Sequence, residues 1–456
     1  MSKRFVLISC LAAVSGILFG FDTGVISGAI LFIRGEFDLT SQTTGYVVSS
    51  VLFGALLGAL GSGRIADYYG RKKLLLIDSL IFIVGTIAAS LAPSVTILIL
   101  GRVVIGIAIG IASYTAPLYI SEIAPSQHRG ALVSLNQLAV ACGILLSYVV
   151  DWQLAVTEGW RLMFAAGIIP AIILMAGVFY LPESPRWLAN KKGLEACRDV
   201  LMRLRSNEAL VEQELQEISN SLDQPACRWT TLFSRQVRPT LWIGIGLALI
   251  QQVTGINTVL YYAPTIFTLA GFGNATSAIL ATMGVGAVFV LFTAVSLPFI
   301  DRLGRKPLLF LGMSLMAAGV LTLSLQFRDL QPKGDSQALV VVGMLTYIIG
   351  FAISLGPIVW LMISEIFPLR VRGVGASIAT CCNWGANGIV ALTFLPLLDS
   401  IGASATFFLF FLIVIISMLF IHFFVPETKN ISLEQIEGNL HLGLPMRELG
   451  KKSIAG

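Results

Sequence analysis

Charged residues are scarce in this chain. Asp, Glu, Lys and Arg together make up 12% of it, whereas soluble globular proteins carry roughly 25%. Hydrophobic residues make up 56%, and the mean hydropathy is +0.85. This composition excludes a water-soluble globular protein. A helix needs about 20 apolar residues to cross a bilayer, and the sequence contains twelve such stretches. We therefore expect an all-α polytopic membrane protein with twelve transmembrane helices.

Residues that form catalytic or metal sites are also few. The chain has three histidines and six cysteines, and their spacing matches no metal site, disulfide framework or nucleophile–base pair. We expect inert, buried cysteines, and we predict no enzyme, no metal site and no cofactor. Only residues 186–238 form a sizeable soluble insertion, and about 50 residues cannot supply the core of a catalytic domain. Their apolar residues recur at helical spacing, which predicts short amphipathic helices under the bundle.

Lysine and arginine are distributed unequally around the predicted spans. With the N-terminus inside, nearly all of them fall on the inner side, which places both termini in the cytoplasm. The exceptions are Arg34, Arg102, Arg161, Arg328 and Lys333. Because the basic residues lie at helix ends, they predict contact with anionic lipid headgroups and exclude a nucleic-acid-binding protein. We expect a multi-pass protein of the cell (inner) membrane that needs no more than a monomer.

Three short phrases occur twice, in the same order. The pairs are 67–72 with 301–306, 121–125 with 364–368, and 182–184 with 426–428. A duplicated run of membrane helices points to transport, since a site between two similar halves can open to either side. We therefore predict two pseudo-symmetric six-helix halves with a linker and a tail. The predicted limits are 1–185 for the N-terminal half, 186–238 for the linker, 239–429 for the C-terminal half and 430–456 for the tail.

The duplicated phrases carry acids beside bases on the predicted cytoplasmic side. Their order in the sequence pairs Asp67 with Arg71, Glu122 with Arg129, Asp301 with Arg305, and Glu365 with Arg372. Single surface ion pairs contribute only about 0–1 kcal/mol each. As a two-sided network that breaks on opening, however, they would bias the equilibrium between two states of a transporter.

Two strongly ionisable residues lie deep inside predicted spans: Asp22 in the first and Arg102 in the fourth. A charged side chain at the bilayer centre costs about 2.5–3.5 kcal/mol on insertion scales, so such residues are rare and usually functional. One interpretation is a structural salt bridge. The other, which we favour, is a proton site that gains or loses a proton as its surroundings alternate. Gly16, Gly20, Gly24 and Gly28 form a stripe on the first span, and Asp22 points away from this stripe.

Neutral amide side chains form a second constellation. They are Gln137, Gln251, Gln252, Asn257 and Asn383. Each amide offers two donors and one acceptor oxygen, the mixture that the hydroxyl groups of a sugar need. Hydrogen bonding between helices is the alternative role for any one of them. As a set they predict a site for a neutral ligand, with Trp360 and Trp384 facing the apolar side of a sugar ring.

Two predicted spans contain helix-breaking residues at membrane depth. One has Gly255 ahead of Pro264, and the other has Gly356-Pro357 just before Trp360. Interrupted helices are tolerated in a membrane where they line a cavity, so we expect both breaks to border the site. Tyr261 and Tyr262 are candidates for an outer gate, together with Gly356 and Pro357. Aromatic packing is the alternative role for the two tyrosines.

Taken together, these residues resemble the sugar porter family of the major facilitator superfamily. The resemblance covers nearly the whole chain and rests on residues 63–72, 182–188, 251–257 and 426–429. It implies a monosaccharide bound midway through the membrane between the two halves, and transport by alternating access. The family's sugar ligands match Gln137, Gln251, Gln252, Asn257, Trp360, Asn383 and Trp384 of this chain.

Within that family the chain most resembles bacterial proton–sugar symporters of the xylose, galactose and glucose type. These have an Asp at the position of Asp22 and an Arg at that of Arg102, whereas animal facilitative carriers have a neutral residue at the first position. We therefore expect a proton-coupled monosaccharide symporter. A facilitative sugar or polyol uniporter and a sugar sensor on a transporter fold are the alternatives. Many sugar porters carry a sugar-contacting Asn at the position of Phe289, so Phe289 predicts a shifted preference among sugars or toward a polyol.

Overall fold

The computed structural model describes residues 3–124, 129–205, 207–222, 232–235, 237–328, 335–368, 371–429, 431, 433–442 and 444–449. Within these ranges all regular secondary structure is helical. Eleven helical stretches of this part of the chain are long and apolar enough to span a membrane. The longest, Arg372–Phe424, has 53 residues and is interrupted at Gly402 (φ 81°, ψ 162°), so it contains two spans. The prediction of twelve membrane helices is therefore confirmed.

The described part of the N-terminal half consists of helices α1 to α7. They are α1 (Lys3–Glu36), α2 (Ser41–Tyr69), α3 (Arg71–Ser90), α4 (Val95–Ile123), α5 (Arg129–Leu154), α6 (Trp160–Ala165) and α7 (Ile168–Tyr180). The last two follow each other closely and together form the sixth span.

Three short helices follow, α8 (Pro185–Lys192), α9 (Leu194–Leu204) and α10 (Glu208–Leu222). Their apolar faces meet in a small core of their own, as the helical spacing predicted. Arg205 ties this core to α4, because its guanidinium donates to the Ile123 carbonyl at 3.0 Å and also binds Glu214. Cys197 is buried in the core, and burial raises the pKa of its thiol to about 11. The cysteine prediction is wrong for Cys10 and Cys142, which are exposed.

The described part of the C-terminal half consists of helices α11 to α17, and α18 lies in the tail. They are α11 (Arg238–Val253), α12 (Ile256–Leu269), α13 (Ala275–Leu303), α14 (Arg305–Gln326), α15 (Asp335–Ile353), α16 (Leu355–Ile366), α17 (Arg372–Phe424) and α18 (Leu433–His441). α11 and α12 belong to one span, and so do α15 and α16.

The glycine stripe of α1 packs against α5. A Cβ atom at Gly20 would collide with the Val140 backbone, and one at Gly28 would lie 2.5 Å from the Asp151 carboxylate. Only glycine allows the two backbones to approach this closely. Asp22 lies on another face of α1 and meets α4, as the helical geometry predicted.

The first copies of the three duplicated phrases meet in one place, which we call the N-terminal charge cluster. Arg71, at the start of α3, binds Asp67 at 3.2 Å and Glu122 at 2.9 Å. Glu183 accepts hydrogen bonds from the backbone N–H groups of Arg71 and Lys72, at 3.0 and 3.1 Å. It therefore caps α3, whose first N–H groups have no partner within the helix.

The second copies form an equivalent C-terminal charge cluster. Arg305 binds Glu365 at 2.8 Å, and Glu427 accepts from the N–H groups of Arg305 and Lys306, at 3.1 and 2.9 Å. The Thr428 hydroxyl donates to Glu365 at 2.6 Å. Each cluster thus joins residues of one half.

Of the pairs that sequence order suggested, Asp67–Arg71 is confirmed, whereas Glu122 and Glu365 bind other arginines. Glu122 binds Arg71, which precedes it by some fifty residues in the chain, and Glu365 likewise binds Arg305. The side chains of Arg129 and Asp301 lie outside the described residues. Arg372 begins α17. The proposed biasing of two states by these residues stays a prediction.

Close contacts between the halves run from the middle of the bundle to one side, which we call the closed side. Gly45, near the start of α2, has room only for hydrogen, because a Cβ there would lie 2.7 Å from the Leu392 carbonyl oxygen of α17. Further along α2, Phe53 lies beside Gly388. The N-terminal charge cluster lies at the other end of α2. The closed side is therefore opposite the charge clusters.

Gly70 and Gly193 provide a test of the clusters' contribution to stability. Both have nearly the same backbone, with φ of 93° and 92°, in a region that costs an L-residue about 1–3 kcal/mol. A Cβ at Gly70 would also collide with the Glu183 carboxylate, whereas nothing lies within 4 Å of one at Gly193. We expect Gly70→Ala to lower the thermal unfolding midpoint of the purified protein clearly more than Gly193→Ala. Equal losses would contradict a stabilising role of the Glu183 cap.

Candidate functional site

Two membrane helices are broken at the predicted depth, and side chains bond to the backbone at both breaks. α11 gives way to α12 at Gly255, which has φ 94° and ψ 16°. There the Tyr347 hydroxyl donates to the Thr254 carbonyl at 2.9 Å. α15 gives way to α16 at Ser354, where φ is −127° and ψ is −95°. Buried carbonyl groups need such donors, since no water is available inside a bilayer.

The second break lies slightly earlier than Gly356-Pro357 led us to expect. Pro357 belongs to the first turn of α16. A proline is tolerated in this turn because the N–H that it lacks would have no partner within the helix. The deviation from helical geometry therefore falls on Ser354, ahead of the proline.

Gln251 connects the two breaks. It lies near the end of α11, and its Nε2 donates to the Leu355 carbonyl at 2.8 Å. It also lies 3.4 Å from the Gly356 carbonyl oxygen. The Gln251 side chain is 3% exposed. One amide thus holds the start of α16 against the end of α11.

Four of the five predicted amides form one hydrogen-bonded chain. Asn383 donates to the Oε1 of Gln251 at 2.8 Å, and its own Oδ1 accepts from Gln252 at 3.1 Å. The Oε1 of Gln252 accepts from Asn257 at 2.6 Å. Asn257 ends the chain and is only partly buried. A row of neutral donors and acceptors therefore lies beside the breaks in both helices.

Two buried polar atoms near this hydrogen-bonded row of amides have no hydrogen-bond partner among the described residues. They are the Nε1 of Trp384 and the Oδ1 of Asn387. Unpaired buried polar groups are costly, so a site that keeps a donor and an acceptor free is suited to a polar ligand. Sequence reasoning missed Asn387. Its signal was the spacing of four from Asn383, which places both on one face of α17.

Gln137 and Trp360 are not joined to the amide chain by a hydrogen bond. Gln137 lies on α5 in the other half and is partly exposed, without a side-chain hydrogen bond to the described residues. Trp360 lies on α16 and is 37% exposed. Trp384 is buried and its ring lies 5.3 Å from that of Phe19 on α1. Of the two tryptophans, Trp384 is the one whose ring meets an aromatic ring of the opposite half.

Asp22 and Arg102 form a buried ion pair, with 3.5 Å between Oδ1 and Nη1. Their side chains are 3% and 0% exposed. Arg102 also donates from Nε to the Val47 carbonyl at 2.9 Å, and its guanidinium lies 5.6 Å from the Phe164 ring centre. Arg102 therefore keeps a hydrogen bond and a cation–π contact besides the carboxylate.

Tyr261 and Tyr262 are both buried on the closed side of the amide chain. The Tyr262 hydroxyl donates to the Ala391 carbonyl at 3.0 Å, and its ring packs 5.2 Å from that of Phe394. The Tyr261 hydroxyl accepts from Asn387 at 3.4 Å and lies within electrostatic range of Asp22 and Arg102. Their role as a gate stays a prediction.

Phe289 lies on α13 and is 2% exposed. Its ring centre is 6.3 Å from that of Phe351, which precedes the break between α15 and α16 by one turn. The residue that departs from the family pattern thus packs beside the second break.

Comparison with known proteins identifies the family. A sequence model described as "Sugar (and other) transporter" matches residues 8–440 of this chain. The chain belongs to the sugar transporter family. This is a family of membrane transporters and not of enzymes.

Among curated relatives of this transporter is the galactose-proton symporter of Escherichia coli (strain K12), 45% identical over 442 residues that cover 96% of this chain and 95% of the relative. The D-xylose transporter of Levilactobacillus brevis is 43% identical, with 94% of each chain covered. The arabinose-proton symporter of E. coli (strain K12) is 42% identical and covers 97% of this chain and 95% of its own.

Solved structures of the xylose transporter XylE from E. coli share the transporter's major facilitator fold. A partially occluded inward-open form has a TM-score of 0.83 at 31% identity, covering 94% of this chain and 99% of that one. An inward-open form scores 0.82 at 32% identity, with 95% and 99% covered. The form bound to 6-bromo-6-deoxy-D-glucose scores 0.80, with 96% and 99% covered.

The bridging role of Gln251 in this transporter is testable without a substrate. Gln251→Leu keeps the approximate size of the side chain but removes the bond to the Leu355 carbonyl and leaves one buried Asn383 N–H without its partner. A buried group left unpaired costs about 1–3 kcal/mol. We expect a lower thermal unfolding midpoint than for Gln213→Leu, a control at an exposed position of α10. Equal midpoints for the two variants would contradict the bridge.

Proposed function

We propose that this chain is a proton-coupled symporter that imports a neutral monosaccharide by alternating access. One observation carries the proposal: a buried acid–base pair lies beside a row of neutral amides at two broken helices. Asp22 follows Phe19 by three residues on α1, and the Phe19 ring packs against Trp384. The helix that carries the acid therefore contacts the helix that carries Asn383. The names of two relatives, the galactose-proton and arabinose-proton symporters, support a sugar and a proton as the two substrates.

The sugar binds to neutral hydrogen-bonding groups. Gln251, Gln252, Asn257 and Asn383 supply donors and acceptors from the C-terminal half, and Gln137 supplies them from the N-terminal half. Trp384 and Trp360 cover the apolar side of the ring. A site without a formal charge fits a neutral ligand, because it leaves no buried ion without a partner.

The proton binds to Asp22. An ionised Asp22 holds Arg102 by a direct ion pair, and a protonated Asp22 does not. Arg102 then keeps the Val47 carbonyl and the Phe164 ring as partners. Protonation thus loosens α1 from α4 next to the sugar site, and the loaded protein turns inward to release sugar and proton. Tyr261 and Tyr262 on α12, together with Gly356-Pro357 at the start of α16, close the outer entrance.

The orientation follows from the positive charges. Both charge clusters face the cytoplasm, so both termini lie inside and the closed side faces outward. The protein lies in the inner membrane as a monomer and binds no nucleic acid. The inward-open forms of XylE support this orientation of the open side.

Asp22→Asn tests the proton site, because asparagine is neutral like a protonated acid. In proteoliposomes with a pH gradient we expect loss of uphill sugar accumulation, while exchange of labelled for unlabelled sugar continues. Asp38→Asn is the matched control, since Asp38 follows α1 and is exposed. It should accumulate sugar normally. Gradient-driven accumulation by Asp22→Asn would instead favour a uniporter in which the ion pair only joins two helices.

A substitution at Phe289 tests which class of substrate the site accepts. Polyols such as inositol are the second candidate after monosaccharides. Phe289→Asn restores an amide at the second break. We expect it to change the order in which hexoses, pentoses and inositols compete with one labelled substrate. Leu291→Asn introduces the same amide on the opposite, exposed face of α13 and should leave the order unchanged. An unaltered order in Phe289→Asn would exclude contact between this position and the substrate.

A further inference from the structure

Tyr148 joins the two halves on the closed side. It lies on α5 of the N-terminal half and is fully buried. Its hydroxyl donates a hydrogen bond of 2.9 Å to the carbonyl of Leu260, which lies on α12 of the C-terminal half. The bond therefore has to break whenever the halves separate on this side.

The Leu260 carbonyl is available because of a proline. Pro264 lies inside α12, and it has no N–H to bond to the carbonyl four residues before it. That carbonyl belongs to Leu260. In a bilayer a carbonyl freed in this way needs a donor from a side chain or a neighbouring helix. Tyr148 supplies that donor from the opposite half.

The C-terminal half also leaves space for the Tyr148 ring. A Cβ atom at Gly286 of α13 would lie 2.7 Å from the ring carbon Cδ2 of Tyr148. Real Cβ atoms do not approach this closely, so any other residue at position 286 would force the ring away. Two independent features of the C-terminal half therefore accommodate Tyr148. The carbonyl freed by Pro264 on α12 accepts its hydrogen bond, and Gly286 on α13 leaves room for its ring.

We propose that Tyr148 is a positioning residue of the transport cycle, which holds α12 in place while the closed side is shut. This inference rests on the proposed alternating access. α12 carries Asn257, the end of the amide chain, and Tyr261, which bonds to Asn387. The Tyr148–Leu260 bond fixes this helix one turn beyond Asn257. When the closed side opens, water in the crevice bonds to the Leu260 carbonyl in place of Tyr148.

The test measures the separation of the halves and needs neither sugar nor protons. Spin labels are placed at Gln42 and Ser400, which are exposed and lie on opposite halves at the closed side, in a background with the six native cysteines replaced. Tyr148→Phe keeps the ring beside Gly286 and removes only the hydroxyl. We expect the ratio of long to short label distances to rise about tenfold, the effect of leaving one buried carbonyl unpaired.

Two further variants make the result specific. Tyr119→Phe removes the hydroxyl of another fully buried tyrosine, which donates to the Pro182 carbonyl at 2.7 Å within one half, and it should not change the distances. Pro264→Ala restores an N–H for the Leu260 carbonyl, so Tyr148→Phe should shift the ratio less than twofold in that background. Unchanged distances in Tyr148→Phe, or equal shifts in Tyr119→Phe, would overturn the assignment. Because the distances are read without substrate, failure of the symport proposal would leave this result unaffected.

Discussion

Backbone carbonyls released by breaks and prolines in the C-terminal half need hydrogen-bond donors, because the surrounding lipid offers none. Side chains meet this need at two places, where Tyr347 bonds to Thr254 and Tyr148 bonds to Leu260. Within the C-terminal half, the Tyr347 bond at the first break and the Gln251 bond to Leu355 at the second keep the broken helices in register. The Tyr148 bond comes from the N-terminal half, so the same constraint also controls how the halves meet.

The duplicated phrases serve a different purpose. In each half they gather into one charge cluster, in which a glutamate caps a helix and an arginine binds an acid of a neighbouring helix. The two clusters are nearly equal in their contacts, whereas the sites for sugar and proton are not. The ion pair belongs to α1 and α4, and the hydrogen-bonded amides belong to α11, α12 and α17. Both halves therefore contain a charge cluster, whereas the ion pair lies only in the N-terminal half and the hydrogen-bonded amides lie only in the C-terminal half.

Much of this could be predicted from the sequence, since span number and helix breaks depend on local composition. The clustering of Gln251, Gln252, Asn257 and Asn383 followed from residue type. Contacts between distant segments could not be predicted in this way. The capping by Glu183 and Glu427, and the binding of Glu122 by Arg71, depend on how helices far apart in the chain pack together. The Tyr148–Leu260 bond requires knowing which carbonyl Pro264 frees and which helix then faces it.

Coupling between sugar and proton is the central claim, and sugar-evoked proton movement tests it most directly. Purified protein is placed in liposomes with a pH-sensitive dye inside and no imposed gradient. Galactose, xylose, arabinose and glucose are then added outside in turn. The account predicts acidification of the interior with at least one of these sugars, and none when Asp22 is replaced by Asn. Entry of a labelled sugar without any change of internal pH would contradict it.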